Sequence, residues 1–583
     1  MSYEIEIIRH SLAHVMAAAV QKLFPGVKFA GGPAIENGFY YDFDTEHRFV
    51  PEDFAKIEKE MKDLIKSDGR FEQKTISKKE AAELFEGQPY KLEWLRDIPG
   101  DEAGVYKFRD FTDLCRGPHV ASSKELPKDA FKISKLAGAY WKGDSKNKML
   151  QRIYVDAFAA KEELDAHLKM MEEAAARDHR KIGPAQDLFF FDNRSPGVPY
   201  WLPDGLVVYK ELYNFWAVYH ESHGYVEFRS PLMNKRELYE TSGHWAHYRD
   251  DMFVFEEDDN NVFALAPMSC PNAIVAYQHS PKSYTDLPYR LSDADMLYRH
   301  ESSGSINGLL RTFEFNQDDA HIFCTEDQLE CEYNNILDMI KEYYDLFGMK
   351  YKISLSTRPD DFMGDVETWN KAEAILKDIL TSRFGAGNFG LKEKDGAFYG
   401  PKLDIQMTDS IGREWQLGTI QLDFQLAGRF GAVYTDRDGQ KKTPIIIHRV
   451  IYGSLGRFLG ILIEHLGGKL PVWLAPTHAV VIPISDQFDE YAAGVAKKLQ
   501  AVEIRTATRG LRVKTDLTSE SMQKKIRGAQ LMQIPYMIIV GEKEAADGTI
   551  SIRTRDNRQI NGIKLEEFVE KLSEKIKTKS LEL

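Results

Sequence analysis

The stretch from Tyr298 to His321 limits the fold more than any other part of the chain. Tyr298-Arg299-His300-Glu301 reads as a strand end, Gly304–Arg311 as a Gly/Ser-rich turn, and Phe313–His321 as a second strand. Two strands joined this way form a hairpin, so this part of the chain builds an antiparallel sheet. The polar residues are placed for a nucleotide. Arg299, read as lying on the first strand, can grip an α-phosphate with a two-pronged fork that lysine lacks. Glu301 can accept from an adenine amino group, and Arg311, past the turn, can reach the distal phosphates. Each residue alone reads as a surface charge; in this order they read as an ATP hairpin.

The chain has 583 residues, enough for about three or four domains. Hydrophobic residues make up 43%, which supplies a large core. No apolar run approaches the roughly 20 residues that span a bilayer, and the N-terminus, MSYEIEIIRHSLAHV, carries charges where a signal peptide needs an apolar centre. The expectation is a cytoplasmic protein with no membrane partner. Four cysteines are too few for a disulfide framework in such a chain, so each is core, ligand or reactive group. A net charge of −14 argues against polyanion binding over the whole surface but leaves room for a local basic groove.

Along the chain, His10–Phe24 reads as an amphipathic helix, Gly31–Asp44 as turns and strands, and Pro51–Lys66 as a helix. A charged connecting helix follows over 159–181. Apolar positions 208, 212, 215, 216 and 219 mark a helix that runs into a strand over Tyr225–Pro231. Strand-like pieces fill residues 250–450, and a helix follows at Gly453–His465. After Leu470-Pro471 strands and helices alternate: AVVIPI, helix 486–500, IRTAT or LRVKTDL, helix 519–531, MIIVGE. That alternation predicts a small α/β domain with a mostly parallel sheet, whose basic side would comprise Lys524, Lys525, Arg527, Arg553, Arg555 and Arg558.

Two further pieces complete the hairpin: Phe228-Arg-Ser-Pro231 after the long helix, and Gly453-Ser-Leu-Gly-Arg457, where Arg457 can cover an adenine face and hold a γ-phosphate. The three pieces, in this order, resemble motifs 1, 2 and 3 of the class II aminoacyl-tRNA synthetases. The words RHESSGSINGLLR, QDDAHIFCT, GAFYGPKLD, WQLGTIQLDF, IHRVIYGSLGRFLGILIEH, SGHWAHYRDDMF and KSYTDLPYRL resemble the threonyl-tRNA synthetases, and the likeness runs from about His10 to the C-terminus. The resemblance implies an α+β multi-domain protein: an editing domain over 1–158, a linker helix over 159–183, a class II antiparallel-sheet catalytic domain over 184–470 and an anticodon-binding α/β domain over 471–583. It implies a homodimer that uses ATP with Mg²⁺, L-threonine and tRNA(Thr). Many members carry a ubiquitin-like domain before the editing module; the chain starts about where that domain would end, so the expectation is that the domain is either naturally absent or cut from this sequence.

The resemblance also implies one zinc per subunit, held by Cys270, His321 and His448, each expected in a strand context. They lie 51 and 127 residues apart, and no compact spacing joins them. The physical motive is selectivity, because an apolar pocket separates near-isosteres such as threonine and valine only about 100-fold, whereas a metal with an open position rewards a hydroxyl. Asp319 would take the hydroxyl proton. Gln317, Tyr399, Lys402, Gln416 and Gln421 match positions lining the amino-acid and ATP pockets, Lys402 as a countercharge to a carboxylate or phosphate. His244 matches a position near the tRNA end and could act as a base. Departures from the family stand at Asn272, Ala273, Leu417, Gly456 and Ser519, the last where an asparagine often reads the anticodon; Glu544 and Arg553 match.

Serine also carries a hydroxyl and is smaller than threonine, so a second, hydrolytic sieve is expected. His10 and His14 share a helix face, and Cys115 and His119 lie four apart, a spacing that alone suits a four-ligand zinc site. The resemblance points instead to hydrolysis of seryl-tRNA through water by His10, His14, Lys91, Asp113, Cys115 and His119. Other class II synthetases, such as prolyl or seryl types, and an RNA-binding regulator that kept the fold are the competing readings.

Overall fold

The computed structural model describes residues 3–144, 146–258, 261–504 and 510–583. It divides into two compact units, Met1–Glu173 and Ala174–Leu583.

In the first unit, helix Ile5–Leu23 begins five residues before the expected His10. It is not amphipathic: from Ile8 to Val20 only His10 is more than marginally exposed. Such a helix forms the centre of a core. Strands Gly38–Asp44, Met149–Ala157 and Phe131–Tyr140 form the main antiparallel sheet, and Phe39, Tyr41 and Phe43 bury their rings in the same core. Helix Pro51–Lys66 forms as expected, with proline at its first turn. A second antiparallel sheet, Phe71–Ser77, Glu102–Phe108 and Phe111–Leu114, brings Asp113 toward the first helix.

The helix expected over 159–181 is two helices, Lys161–Arg177 and His179–Ala185. Asp178 separates them because its carboxylate accepts from the Arg180 N–H at 2.8 Å, as an N-cap does.

The second unit is built on a nine-stranded sheet. Its central strands, Tyr289–Asp293, Glu314–Cys324, Ile445–Ser454, Glu414–Asp423, Lys402–Thr408 and Lys350–Ser356, are all antiparallel. Parallel pairing occurs at its two ends, where Val226–Glu227 and Gly390–Lys392 join. The strand expected over Tyr225–Pro231 shrinks to Val226–Glu227. Residues Ile445–Tyr452 are buried without a break, the mark of a strand covered on both faces. Register then fixes the site: His321 pairs with His448, and His448 pairs with Gln421, so three strands place these residues in one row.

The C-terminal sheet corrects the mostly parallel expectation. Val513–Thr515, Ala479–Pro483 and Tyr536–Val540 are parallel, but Thr549–Thr554 and Gln559–Lys564 add two antiparallel strands. The four residues between Thr554 and Gln559 are too few for a parallel crossover, and Asn557, at φ 65°, supplies the turn. Of the two candidate segments, LRVKTDL supplies the strand Val513–Thr515; 505–509, most of IRTAT, lie outside the described residues.

Candidate functional site

A cleft of about 740 Å³ opens over the row of paired strands. Cys270 is not in a strand; it is the first residue of helix Cys270–Gln278. His321 and His448 lie on neighbouring strands, and one donor atom from each of the three residues falls within 4.8 Å of the others. All three are buried. Neither nitrogen of His321 has a protein partner, nor has Nδ1 of His448. Unpaired buried polar atoms are costly and rare. His448 Nε2 instead lies 3.0 Å from Asp423 Oδ2. That contact places the ring proton on Nε2 and leaves Nδ1 as a lone-pair donor. The Tyr399 hydroxyl bonds the Cys270 thiol, which burial and then Asp319 push well above its ordinary pKa. A thiol and two imidazoles, with three ring nitrogens orphaned, fit a zinc ion.

Asp319 lines the cleft and accepts from Ser269 Oγ at 2.5 Å. Burial raises its carboxyl, and burial with Asp319 nearby raises Asp293 strongly. Gln317, Tyr399, Gln416 and Gln421 also line the cleft. Lys402 does not. Its Nζ is held by Asp404 at 2.6 Å and Asp395 at 3.3 Å. Asp404, fully buried, also accepts from Gln416 Nε2 at 2.7 Å. The expected countercharge to substrate therefore neutralises Asp404 and buttresses Gln416.

At the other end of the cleft, Arg299 sits one residue past strand Met296–Tyr298 rather than on it. Its guanidinium carbon lies 5.0 Å from the centre of the Phe315 ring. Arg311 binds Glu301 Oε2 at 2.6 Å, so the two hairpin residues expected to meet different parts of a nucleotide meet each other here. Arg457 is the third residue of helix Leu455–Leu466, whose Ser454 cap accepts its N–H at 3.1 Å. Its Nε is buried without a partner, and burial followed by Arg311 lowers its pKa. The preceding turn is anchored by Asp318, which takes the N–H groups of Ile451, Tyr452 and Gly453 at 2.9–3.0 Å. Gly453 has φ 80° there, and a Cβ would stand 2.8 Å from the Leu417 carbonyl. His244 is buried, bonded through Nδ1 to Ser242 Oγ at 2.8 Å, and pushed down to about 3 by burial and then His448. It is a neutral imidazole at ordinary pH.

The first unit holds a second cluster. His10 Nε2 and His119 Nε2 lie 3.2 and 3.3 Å from Cys115 Sγ, which also accepts from the Gly117 N–H at 3.2 Å. His14 faces His119 at a ring distance of 4.2 Å. Asp113 pairs closely with Lys91, accepts from the Tyr41 hydroxyl at 2.6 Å and lies 3.7 Å from His14 Nε2. All six expected residues therefore converge. Burial pushes the Cys115 thiol up to about 12 and lowers His10, His14 and His119. Tyr41 and Ser11, which contacts His119 Nδ1 at 3.1 Å, were not foreseen.

In the C-terminal sheet region, Ser519 is exposed before helix Met522–Leu531. Glu544 accepts from Ser551 Oγ at 2.7 Å, and Arg553 donates to Asn557 Oδ1 at 2.7 Å. The basic side is narrower than expected. Lys525 is buried on the Asp516 carbonyl, and Arg555 donates to the carbonyls of Leu470, Gln533 and Lys469.

Three family models match: tRNA synthetase class II core domain (G, H, P, S and T) over residues 253–466, anticodon binding domain over 478–575, and threonyl and alanyl tRNA synthetase second additional domain over 104–154. The threonine–tRNA ligase of Clostridioides difficile is 46% identical over 577 residues, covering 98% of this chain and 88% of that protein. That of Thermotoga maritima is 46% identical over 582 residues, covering 99% and 89%. Among solved structures, the RNA binding domain of threonyl-tRNA synthetase from Cryptosporidium parvum aligns with a TM-score of 0.64 and 40% identity, covering 68% of this chain and 98% of that one. At 45–46% identity over nearly its whole length, the chain that carries this sulfur-and-imidazole cluster beside an arginine-lined cleft belongs to the threonine–tRNA ligase family.

Proposed function

We propose that the chain joins L-threonine to tRNA(Thr) at the expense of ATP, and that its first unit hydrolyses seryl-tRNA(Thr). The observation that carries the first half is the buried set Cys270, His321 and His448, with three ring nitrogens left without protein partners, beside a cleft lined by arginines. Zinc held there would supply an electrophilic position that rewards the hydroxyl of threonine and gives no return for the methyl of valine. Asp319 accepts the hydroxyl proton.

ATP enters as its Mg²⁺ complex, with the base against Phe315 and Arg457. In the first step a threonine carboxylate oxygen attacks the α-phosphorus and pyrophosphate leaves. Arg299, Arg311 and Arg457 face the charge that develops. Binding draws Arg311 away from Glu301 onto the distal phosphates. In the second step a tRNA ribose hydroxyl attacks the acyl carbon and AMP leaves. His244, neutral and within the cleft, takes the hydroxyl proton. Ser519, Glu544 and Arg553 mark the anticodon side.

In the first unit, the Lys91–Asp113–Tyr41 web holds the charge that orients His14, and His10, His119 and Cys115 bind and activate a water against the seryl ester. The sulfur already has three hydrogen-bonding neighbours, which favours metal-free hydrolysis. Domain limits of 1–158, 159–183, 184–470 and 471–583 fit these assignments. Exposed Leu206, Val218 and Val226, on and after helix Pro203–Ser222, support a homodimer through this surface. Among the described residues no helix is long and apolar enough to cross a membrane, in keeping with a cytoplasmic location.

The test is ATP–pyrophosphate exchange over a panel of amino acids with zinc measured in the same preparation. Exchange driven by threonine far above valine is expected. Exchange driven by proline instead, or by no amino acid while tRNA still binds, sinks the reading.

A further inference from the structure

A third cluster of potential metal donors, Asp178, His179 and Glu464, lies outside the machinery above. His179 is 1% exposed, and both ring nitrogens are committed. Nδ1 lies 2.6 Å from Glu464 Oε1, while Nε2 accepts the backbone N–H of Leu309 at 2.9 Å. A nitrogen that accepts an N–H carries no proton, so the proton sits on Nδ1 and no lone pair is left for a cation. Glu464 also accepts the His179 backbone N–H at 3.2 Å and pairs with Arg413 at 2.6 Å. The cluster is a clamp, and what it clamps is the turn of the ATP hairpin.

Leu309 is buried, and Leu310 and Arg311 follow it into the cleft wall. The fit is close on both sides. Gly308 has φ 51°, and a Cβ on it would stand 2.2 Å from His179 Nε2; a Cβ on Gly460 stands 3.1 Å from Leu309 Cβ. Within the turn, the Asn307 N–H donates to the Arg311 carbonyl at 3.1 Å and the Leu310 N–H to the Asn307 carbonyl at 2.9 Å, so it moves as a folded unit. The Leu309 N–H bond ties that unit to helix His179–Ala185 and so sets where Arg311 starts from.

We propose that His179 is a positioning residue for ATP: through the Leu309 N–H it sets the turn that presents Arg311 to the distal phosphates. The inference rests on the reading of Arg311 as a phosphate-binding residue, and the experiment separates the two. Steady-state pyrophosphate exchange is measured for the zinc-loaded full chain with H179Q, H179N, H179F, G308A and R311A, with ATP and threonine varied in turn. Glutamine can place an amide oxygen near the Nε2 position and still accept from Leu309. Asparagine reaches only the Nδ1 position, and phenylalanine keeps the volume with no acceptor. Loss of one neutral hydrogen bond corresponds to about a tenfold effect.

H179N and H179F are expected to raise KM for ATP about tenfold with KM for threonine unchanged, and H179Q to stay within about threefold of the parent. G308A, which displaces the turn without altering the histidine, is expected to match H179F, and it decides the matter if H179F fails to fold. A raised KM for ATP in R311A with unchanged values in H179F and G308A overturns the clamp alone. Equal rises for ATP and threonine, or no rescue by H179Q, assign His179 a purely structural role and also overturn it. An unchanged KM for ATP in R311A removes the phosphate reading and the inference with it.

Discussion

The chain carries two clusters of cysteine and histidine that look alike as compositions and differ as chemistry. In the first, Cys270, His321 and His448 converge with three ring nitrogens unpaired. In the second, Cys115 already bonds both His10 and His119, Ser11 takes up His119 Nδ1, and Asp113 is held by Lys91 and Tyr41, with Nδ1 of His14 left as a buried ring nitrogen without a partner. A donor set left empty-handed in a buried place is stabilised by a cation. A set whose hydrogen bonds are largely closed among its own members is organised to handle protons and water. Ligand identity alone does not separate these cases; the partners of the second nitrogen do.

The largest effect expected from breaking the contrast is at Cys270. C270A removes a donor that nothing else in the cleft replaces. Bound zinc should fall from one per chain toward none, and threonine-dependent exchange should drop on the order of 10³-fold. Normal exchange with zinc retained would show the donors to be ordinary core residues.

The second cluster should respond in a different currency. H119A is expected to cut seryl-tRNA hydrolysis about 100-fold, the scale of one general acid–base group, with threonine activation unchanged. The zinc count of the parent should be one and should stay one in C115A. A count of two in the parent, falling to one in C115A, would turn the second cluster into a metal site and erase the distinction drawn above.

A smaller change tests the partner logic itself. D423N keeps the side chain's shape and its ability to accept the Gln425 N–H, bonded at 2.6 Å, but removes the charge facing His448 Nε2. Zinc affinity should weaken about tenfold, the effect of losing an orienting carboxylate. A competition titration with a chelator reads it, and an unchanged affinity would place Asp423 outside the metal's control.

How much of this was visible in the sequence differs from residue to residue. Arg299, Glu301, Arg311 and Arg457 lie within short words, so local spacing exposed them. His321 and His448 become neighbours only through the register of Glu314–Cys324 with Ile445–Ser454, which no spacing encodes. Asp423, one strand further, was missed for the same reason. The partner of Lys402 was legible too: on a strand, residues two apart share a face, so Asp404 stood ready to pair with it. Strand Thr549–Thr554 was likewise legible, because Ile550 and Ile552 alternate with polar Ser551 and Arg553, whereas Gln559–Lys564 carries no such alternation. Tyr41 looked like one more core aromatic until its hydroxyl was found on Asp113.

The smallest expected effect is an absence of pH dependence. Burial lowers the pKa of His10, His14 and His119, and lowers His14 and His119 far enough that both rings are neutral in the fold from pH 6 to 8. Seryl-tRNA hydrolysis should therefore vary by less than about twofold over that range, apart from the intrinsic lability of the ester measured without enzyme. Stability should behave in the opposite sense. A histidine whose folded pKa lies below its unfolded value near 6.5 contributes fully above that value, and the contribution is lost as pH falls and the unfolded chain takes up a proton that the fold refuses. At pH 5.5 a ring as buried as His14 costs about 1.4 kcal/mol in this way. The denaturation midpoint of the first unit should fall between pH 6.5 and 5.5 while its hydrolysis rate stays level, and H14F, if it folds, should flatten the stability curve. An inflection in the rate near pH 6.5 would mean that one of the three rings titrates freely, and the closed web described for this cluster would not hold.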